Sequence, residues 1–161
     1  MNKLNLGCGK EILPGFINAD RENFPGVNKI IDLNKFPYPF KDNQFNHIVM
    51  KNILEHLDNP ERVLKEIHRI SKPLALIDIR VPHFSSNNVW GDIQHKRGFS
   101  SQTFLNDNLN KMFRVIIQEI TFSHLKFPIS IFALIFPLFY EKHLAYIFNA
   151  VDIILDLEVI K

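Results

Sequence analysis

The 161-residue chain lacks the features that mark several protein classes. It has one cysteine, Cys8, so neither an intramolecular disulfide nor a cysteine-cluster metal site can form. It has no block of like charge. The 19 Lys and Arg and 17 Asp and Glu are spread along the chain, and a formal net charge of +2 argues against nucleic acid as a partner. It has no apolar run of the ~20 residues that a membrane-spanning helix needs. The Phe-rich stretch Phe127–Tyr140 is too short and is interrupted by Pro128 and Pro137. Internal repeats, low-complexity tracts and linkers are absent too. Met1 leads straight into a strand-like segment with nothing resembling a signal peptide, which points to a reducing, cytoplasmic setting.

What is present reads as a single domain over residues 1–161, 46% hydrophobic and 22% charged, able to bury one core. Short apolar runs alternate with helix-like or loop segments, the pattern of a doubly wound, mainly parallel α/β sheet. Strands are expected at Lys3–Leu6, Phe16–Asp20, Lys29–Asp32, Asn46–Lys51 and Leu74–Val81, each with adjacent apolar residues that suit coverage on both faces. The clearest helix starts at Pro60, capped by Asp58 or Asn59, with Glu61 in its first turn. Val63, Leu64, Ile67 and Ile70 recur at helical spacing, and Pro73 is expected to end it. A further helix is expected over Ser101–Met112, then a strand over Phe113–Phe122. The alternating segment Leu155–Lys161 reads as an antiparallel closing edge strand.

Three strand ends carry the chemistry. Leu4-Asn-Leu-Gly-Cys-Gly9 ends a strand in Gly-x-Gly, a turn in which no Cβ blocks the approach of a ligand, and the carboxyl ends of parallel strands are where nucleotide-like ligands bind. Asp20 closes the second strand, where a carboxylate can accept from both hydroxyls of a ribose. Asp32 closes the third, where an acceptor can take an adenine amine. Each aspartate alone reads more often as a turn residue than as a ligand contact. As a set, Gly7, Gly9, Asp20 and Asp32 converge on one edge of the sheet.

These residues belong to longer matching stretches: Leu4–Gly9, Leu13–Asp20, Asp32–Phe40, Asp42–Leu57 and Val63–Pro73. In that order they resemble the class I S-adenosylmethionine-dependent methyltransferases, of the type 11 kind, over about residues 3–104. The resemblance implies a seven-stranded Rossmann-like sheet, S-adenosylmethionine as cofactor, and methyl transfer as the activity. It implies a cofactor site of Leu6, Gly7, Cys8, Gly9, Asp20, Asp32, Leu33, Asn52 and Glu55. Within it Gly7 and Gly9 lie by the methionine part, Asp20 by the ribose, and Asp32 with Leu33 around the adenine. Asn52 to His56 line the methyl-transfer side.

The acceptor side is expected in the loop after the fifth strand, which gathers His83, Asp92, His95, Lys96 and Arg97. His83, Lys96 and Arg97 are the substrate-binding candidates. His56 and His95 are the candidate bases, since imidazole titrates near neutral pH, and Asp92 can orient one of them. A zinc site of His83, Asp92 and His95 is the weaker reading, because its spacing matches no familiar ligand pattern, and no metal is expected. The acceptor itself is a small molecule, a glycan or a lipid-linked compound, classes with which methyltransferases resembling this one are associated. Two other readings remain: a non-catalytic binding or scaffold domain, and a nicotinamide oxidoreductase. Ile12 standing at the third-glycine position disfavours the oxidoreductase.

Two departures from the family pattern stand out. Only six residues separate Gly9 from Phe16, whereas a parallel crossover normally takes a dozen or more, so the first crossover is shortened. The turn before the fifth strand reads Lys72-Pro-Leu-Ala75, without glycine. The Phe-rich segment at about 127–151 is expected to cap the core, with an amphipathic stretch over about Tyr140–Val151. Peripheral membrane contact or packing against a second copy are its alternative uses.

Overall fold

Strand order in the sheet reverses direction near its middle, and the candidate site follows from that reversal. The structure, a computed structural model, describes residues 2–123 and 127–161. Seven strands form one sheet: β1 Lys3–Leu6, β2 Ile17–Asp20, β3 Lys29–Ile30, β4 Phe45–Lys51, β5 Ser71–Pro82, β6 Phe113–Ile120 and β7 Asp152–Val159. They lie in the order β3-β2-β1-β4-β5-β7-β6. β1 to β5 pair in parallel, and β7 runs antiparallel to both β5 and β6. The mainly parallel seven-stranded α/β sheet is therefore as expected. The last strand is antiparallel, but it inserts between β5 and β6 and leaves β6 at the edge.

Helix α1, Pro60–Ile70, forms where the sequence places it. The Asn59 side chain accepts from the Arg62 N–H, and Pro60 stands in the first turn. Val63, Leu64, Ile67 and Ile70 are all buried against the sheet. They meet the inward side chains of β1, β4, β5 and β7, among them Leu4, Ile48, Ile77 and Leu155. Each fully buried aliphatic side chain contributes roughly 1.5–3 kcal/mol relative to exposure. The helix stops at Ile70 rather than at Pro73, because Ser71 is already extended, and Pro73 lies inside β5.

Arg69 at the base of α1 donates to both carboxylate oxygens of Glu66, to Asp42, and to the carbonyls of Phe40 and Tyr38. It thereby pins the 38–42 loop beneath the sheet. The missing glycine in Lys72-Pro-Leu-Ala75 has a visible consequence. Leu74 takes a left-handed φ of 61°, and the β4–β5 register shifts between Phe45↔Ser71 and His47↔Leu76.

Coverage of the two faces differs from the expectation. The α1 face is apolar. On the opposite face β5 presents Leu76, Asp78 and Arg80, alternating with buried Ile77, Ile79 and Val81. Asp78 pairs with His47 at 2.8 Å, Arg80 with Asp152 and Arg114 with Glu158. Polar residues at every second position suit a strand with one face solvated. The crossovers between β1, β2, β3 and β4 carry no helix. The first runs as an extended bridge over the buried amides of Asn5 and Asn18, which hydrogen-bond to Glu11 and Leu13 in it.

The region after β5 departs most. The expected Ser101–Met112 helix is broken into a 3₁₀ turn, Ser101–Phe104, and a one-turn helix. In order, the short helices are α2 Asn87–Gly91, α3 Asp107–Asn110, α4 Phe127–Ile135 and α5 Pro137–His143. The expected amphipathic stretch over Tyr140–Val151 ends as helix at His143. A second, small apolar cluster forms here around Ile120, Ala133, Tyr140, Ala145 and Ala150. Among the described residues, no helix is long and apolar enough to cross a membrane.

Candidate active site

The sheet reverses between β1 and β4, and a cleft of about 670 Å³ opens over the carboxyl ends of the strands at that point. Gly7, Gly9 and Asp20 form its floor. Ile31, Asp32 and Leu33 form one wall, with Arg21, Glu22 and Asn34 beside them. Asn52, Ile53, His56 and Leu57 form the opposite wall, and Ile93, Gln94 and Lys96 also line the cleft. The two glycines and two aspartates therefore meet in one space.

The glycines are required for different reasons. Gly7 has φ +65°, and a Cβ there would lie 2.4 Å from Ile53 Cγ1, so it makes room for the opposite wall. Gly9, at φ +49°, has open space where a Cβ would be. Only Gly9 matches the expectation of a backbone left bare toward a ligand. The Gly7 and Cys8 N–H groups both donate to the Ala19 carbonyl, tying the turn to β2.

Asp20 accepts from the Gly9 N–H at 2.7 Å through Oδ2 and from the Glu22 N–H at 3.0 Å through Oδ1. A carboxylate offers about four lone-pair sites, so two remain. Asp32 similarly caps the Asn34 N–H at 3.0 Å and pairs with Lys35 at 3.6 Å. Between them the buried side chains of Ile31 and Leu33 supply a flat apolar wall. Acceptors on the floor and rim, with an apolar slot between, fit the ribose and the adenine of an adenosyl group.

Other candidates fall elsewhere. Leu6 is fully buried in the main core, and Cys8 is buried beside the turn, where burial raises its thiol pKa. Neither lines the cleft. Glu55 is 1% exposed and turned away from the cleft, and burial pushes its carboxyl up to about 7. It lies within metal-ligand reach of His56 and His95. The His56 and His95 rings meet edge-on with centroids 4.5 Å apart, and burial lowers the His56 pKa. Asp92 stands 3.8 Å from His95 Nε2, near it but beyond hydrogen-bond distance.

His83 is a correction. It is fully buried and cannot meet an acceptor. Its Nδ1 lies 2.9 Å from the Ser85 hydroxyl and its Nε2 3.2 Å from Glu141. Glu141 also accepts from the Ser101 N–H and hydroxyl. Burial works against the charge, but the bonds from His83 and Ser101 hold this carboxyl below its usual range. The network fastens α5 to β5, 58 residues apart in sequence, and no local pattern announced it. Lys96 lines the cleft and pairs with Asp58. Arg97 reaches only the Asp58 carbonyl. The zinc reading of His83, Asp92 and His95 fails because His83 is committed to Glu141. Sequence reasoning also missed Ile93 and Gln94, which are brought to the cleft by a loop whose path no spacing encodes.

The sheet order and the cleft at its switch point define a Rossmann-like α/β fold. Residues 4–77 match the methyltransferase-domain family. Across almost the whole chain the fold is similar to that of an S-adenosylmethionine-dependent methyltransferase from Archaeoglobus fulgidus (TM-score 0.66, 21% identity, 97% of this chain and 85% of that one). It is similar also to one from Mesorhizobium loti (0.64, 11%, 98% and 90%), and to the cyclase SpnF (0.63, 16%, 97% and 74%). No curated protein matches the sequence. The family match spans residues 4–77, and the solved structures share the fold across nearly the whole chain.

Proposed function

We propose that the protein transfers a methyl group from S-adenosylmethionine to a hydroxyl or amine of a small-molecule, glycan or lipid-linked acceptor. The observation that carries this reading is the common cleft of Gly7, Gly9, Asp20 and Asp32, continuous with His56, Gln94 and Lys96. Bound there, the cofactor supplies an electrophilic methyl group on a sulfonium centre. The protein's part is to align and to exclude water. Asp20 holds the ribose hydroxyls through its two free lone-pair sites, and Asp32 with Leu33 holds the adenine. Asn52, with φ +50°, directs the wall toward the reacting end.

His56 is the group on that wall in reach of an acceptor's proton, with His95 and Asp92 standing behind it. Lys96 is the candidate for acceptor contact at the cleft mouth. Ile93 beside it is wholly exposed, which suits an acceptor with an apolar part. The uncovered side chains of α4 and α5, Leu134, Phe136 and Phe139 among them, support peripheral membrane contact or a second copy of the chain. Sedimentation with vesicles and sedimentation velocity separate these two.

A non-catalytic binding domain is the second reading. It draws on the fold alone, which does not fix the activity: the cyclase SpnF shares it and is named for a reaction other than methyl transfer. Calorimetric titration with S-adenosylmethionine, its demethylated product and NAD, followed by methyl-transfer assays across hydroxyl and amine acceptors, tests both readings. Cofactor binding without transfer to any acceptor favours the second, and preference for NAD overturns both.

A further inference from the structure

Behind the His56 wall, Glu55, His56 and His95 each offer one ligand atom, and these atoms lie within 4.8 Å of one another. Two of the polar atoms in this group are orphans. Glu55 Oε2 and His95 Nδ1 are buried and find no hydrogen-bond partner among the described residues. Buried polar atoms are normally satisfied, so each exception calls for a partner. Both belong to side chains converging on the same point, and Glu55 is 1% exposed.

We infer that Glu55, His56 and His95 form a binding site for a divalent transition-metal ion of the zinc class. Two imidazoles and one carboxylate are a ligand set that zinc and its neighbours accept. Ligand bonds of about 2.0–2.2 Å set three donors nearer to one another than 4.8 Å, the bound within which these atoms lie. Asp92, 3.8 Å from His95 Nε2, is placed as the outer carboxylate that turns the opposite ring nitrogen, Nδ1, toward the ion.

The ion would fasten the 3₁₀ turn Leu54–His56 to the 92–98 segment, now joined by a bond from the Lys96 N–H to the Glu55 carbonyl at 2.9 Å. It would also occupy the lone pair with which His56 accepts a proton, so metal binding and that role exclude each other.

The test is a Co²⁺ titration of the chelator-treated full chain, read by ligand-field absorption, with Zn²⁺ as competitor. One equivalent of Co²⁺ should give a tetrahedral or five-coordinate spectrum that Zn²⁺ displaces. Asp92→Asn should weaken binding by ~10-fold, and Glu55→Gln and His95→Ala by more, with circular dichroism and thermal unfolding verifying that each variant folds. Asp20→Ala, which should lose the cofactor, should keep the Co²⁺ spectrum, so failure of either reading is visible without the other. Absence of a saturable spectrum in the parent chain would overturn the site. So would a spectrum unchanged in folded Glu55→Gln and His95→Ala.

Discussion

Residues 3–82 and residues 127–151 obey different rules. In the first region most apolar side chains are turned inward, Ile30, Leu74 and Leu76 excepted, α1 carries a buried stripe, and polar strand positions are paired or solvated. In the second, a small apolar cluster sits beneath short helices whose outer faces leave Leu134 at 62%, Ile135 at 61% and Phe139 at 53% exposure. Hydrophobicity alone therefore does not predict burial here. Periodicity against a partner element does. The first region has a sheet to pack on, and the second has apolar residues nearly all round α4 with only part of them covered.

Equal deletions should expose this contrast most strongly. Ile67, fully buried under α1, should cost about 2–5 kcal/mol of unfolding free energy when changed to Ala. Leu134→Ala should stay within about 0.5 kcal/mol. Urea unfolding measures both, and similar losses would show that the second region is packed as tightly as the first.

Arg69 extends the comparison to polar packing, since five hydrogen bonds converge on one side chain of the first region. Arg69→Ala should cost about 2–3 kcal/mol. Glu66 gives the pH signature. Its carboxyl is held below the usual range, first by the hydrogen bonds from Arg69 and further by the Tyr38 N–H. A depressed folded pKa means that the stabilisation is present above the unfolded value of about 4.3 and is lost as pH falls through the folded one. The stability gap between the parent chain and Glu66→Gln should therefore narrow as the pH drops below about 4, and a constant gap would contradict the pairing.

The smallest expected effect tests the left-handed residue near the start of β5. Leu74, 70% exposed at φ 61°, should gain up to about 1 kcal/mol on change to Gly, because relief of left-handed strain outweighs the entropy that glycine adds to the unfolded chain. A net loss would show that the Leu74 side chain makes a contact worth more than that strain.

Legibility divided along the same line. β1, β2, β4, β5 and α1 were readable because strand length, the Asn59 cap, Pro60 and the Val63–Ile70 stripe are local signals that agree with the tertiary packing. Gly7, Gly9, Asp20 and Asp32 could be named as a group because the sequence places each at or just past the end of an apolar run, and topology does the rest. Asp32 nonetheless lies beyond a β3 of only two residues. The bare face was misread from adjacent apolar pairs, although Asp78 and Arg80 already alternate within β5. β7 looked like an edge because its alternation is the same whether one neighbour or two flank it, and only the later pairing with β6 decides. His83 was read as a loop group, because its partner Glu141 is far away in a Phe-rich run. The inward turn of Glu55 is likewise set by packing of the 92–98 loop, which nothing in its own neighbourhood encodes.

The central claim is that Asp20 and the Gly7–Gly9 turn hold an adenosyl group in the switch-point cleft. Isothermal titration of S-adenosylmethionine into the parent chain and into Asp20→Ala, with matched thermal unfolding, tests it directly. Saturable binding weakened by about 100-fold in a folded variant is the predicted result, the loss expected when two charge-assisted hydrogen bonds are removed. Equal affinity in the two proteins would place the cofactor elsewhere and contradict the account.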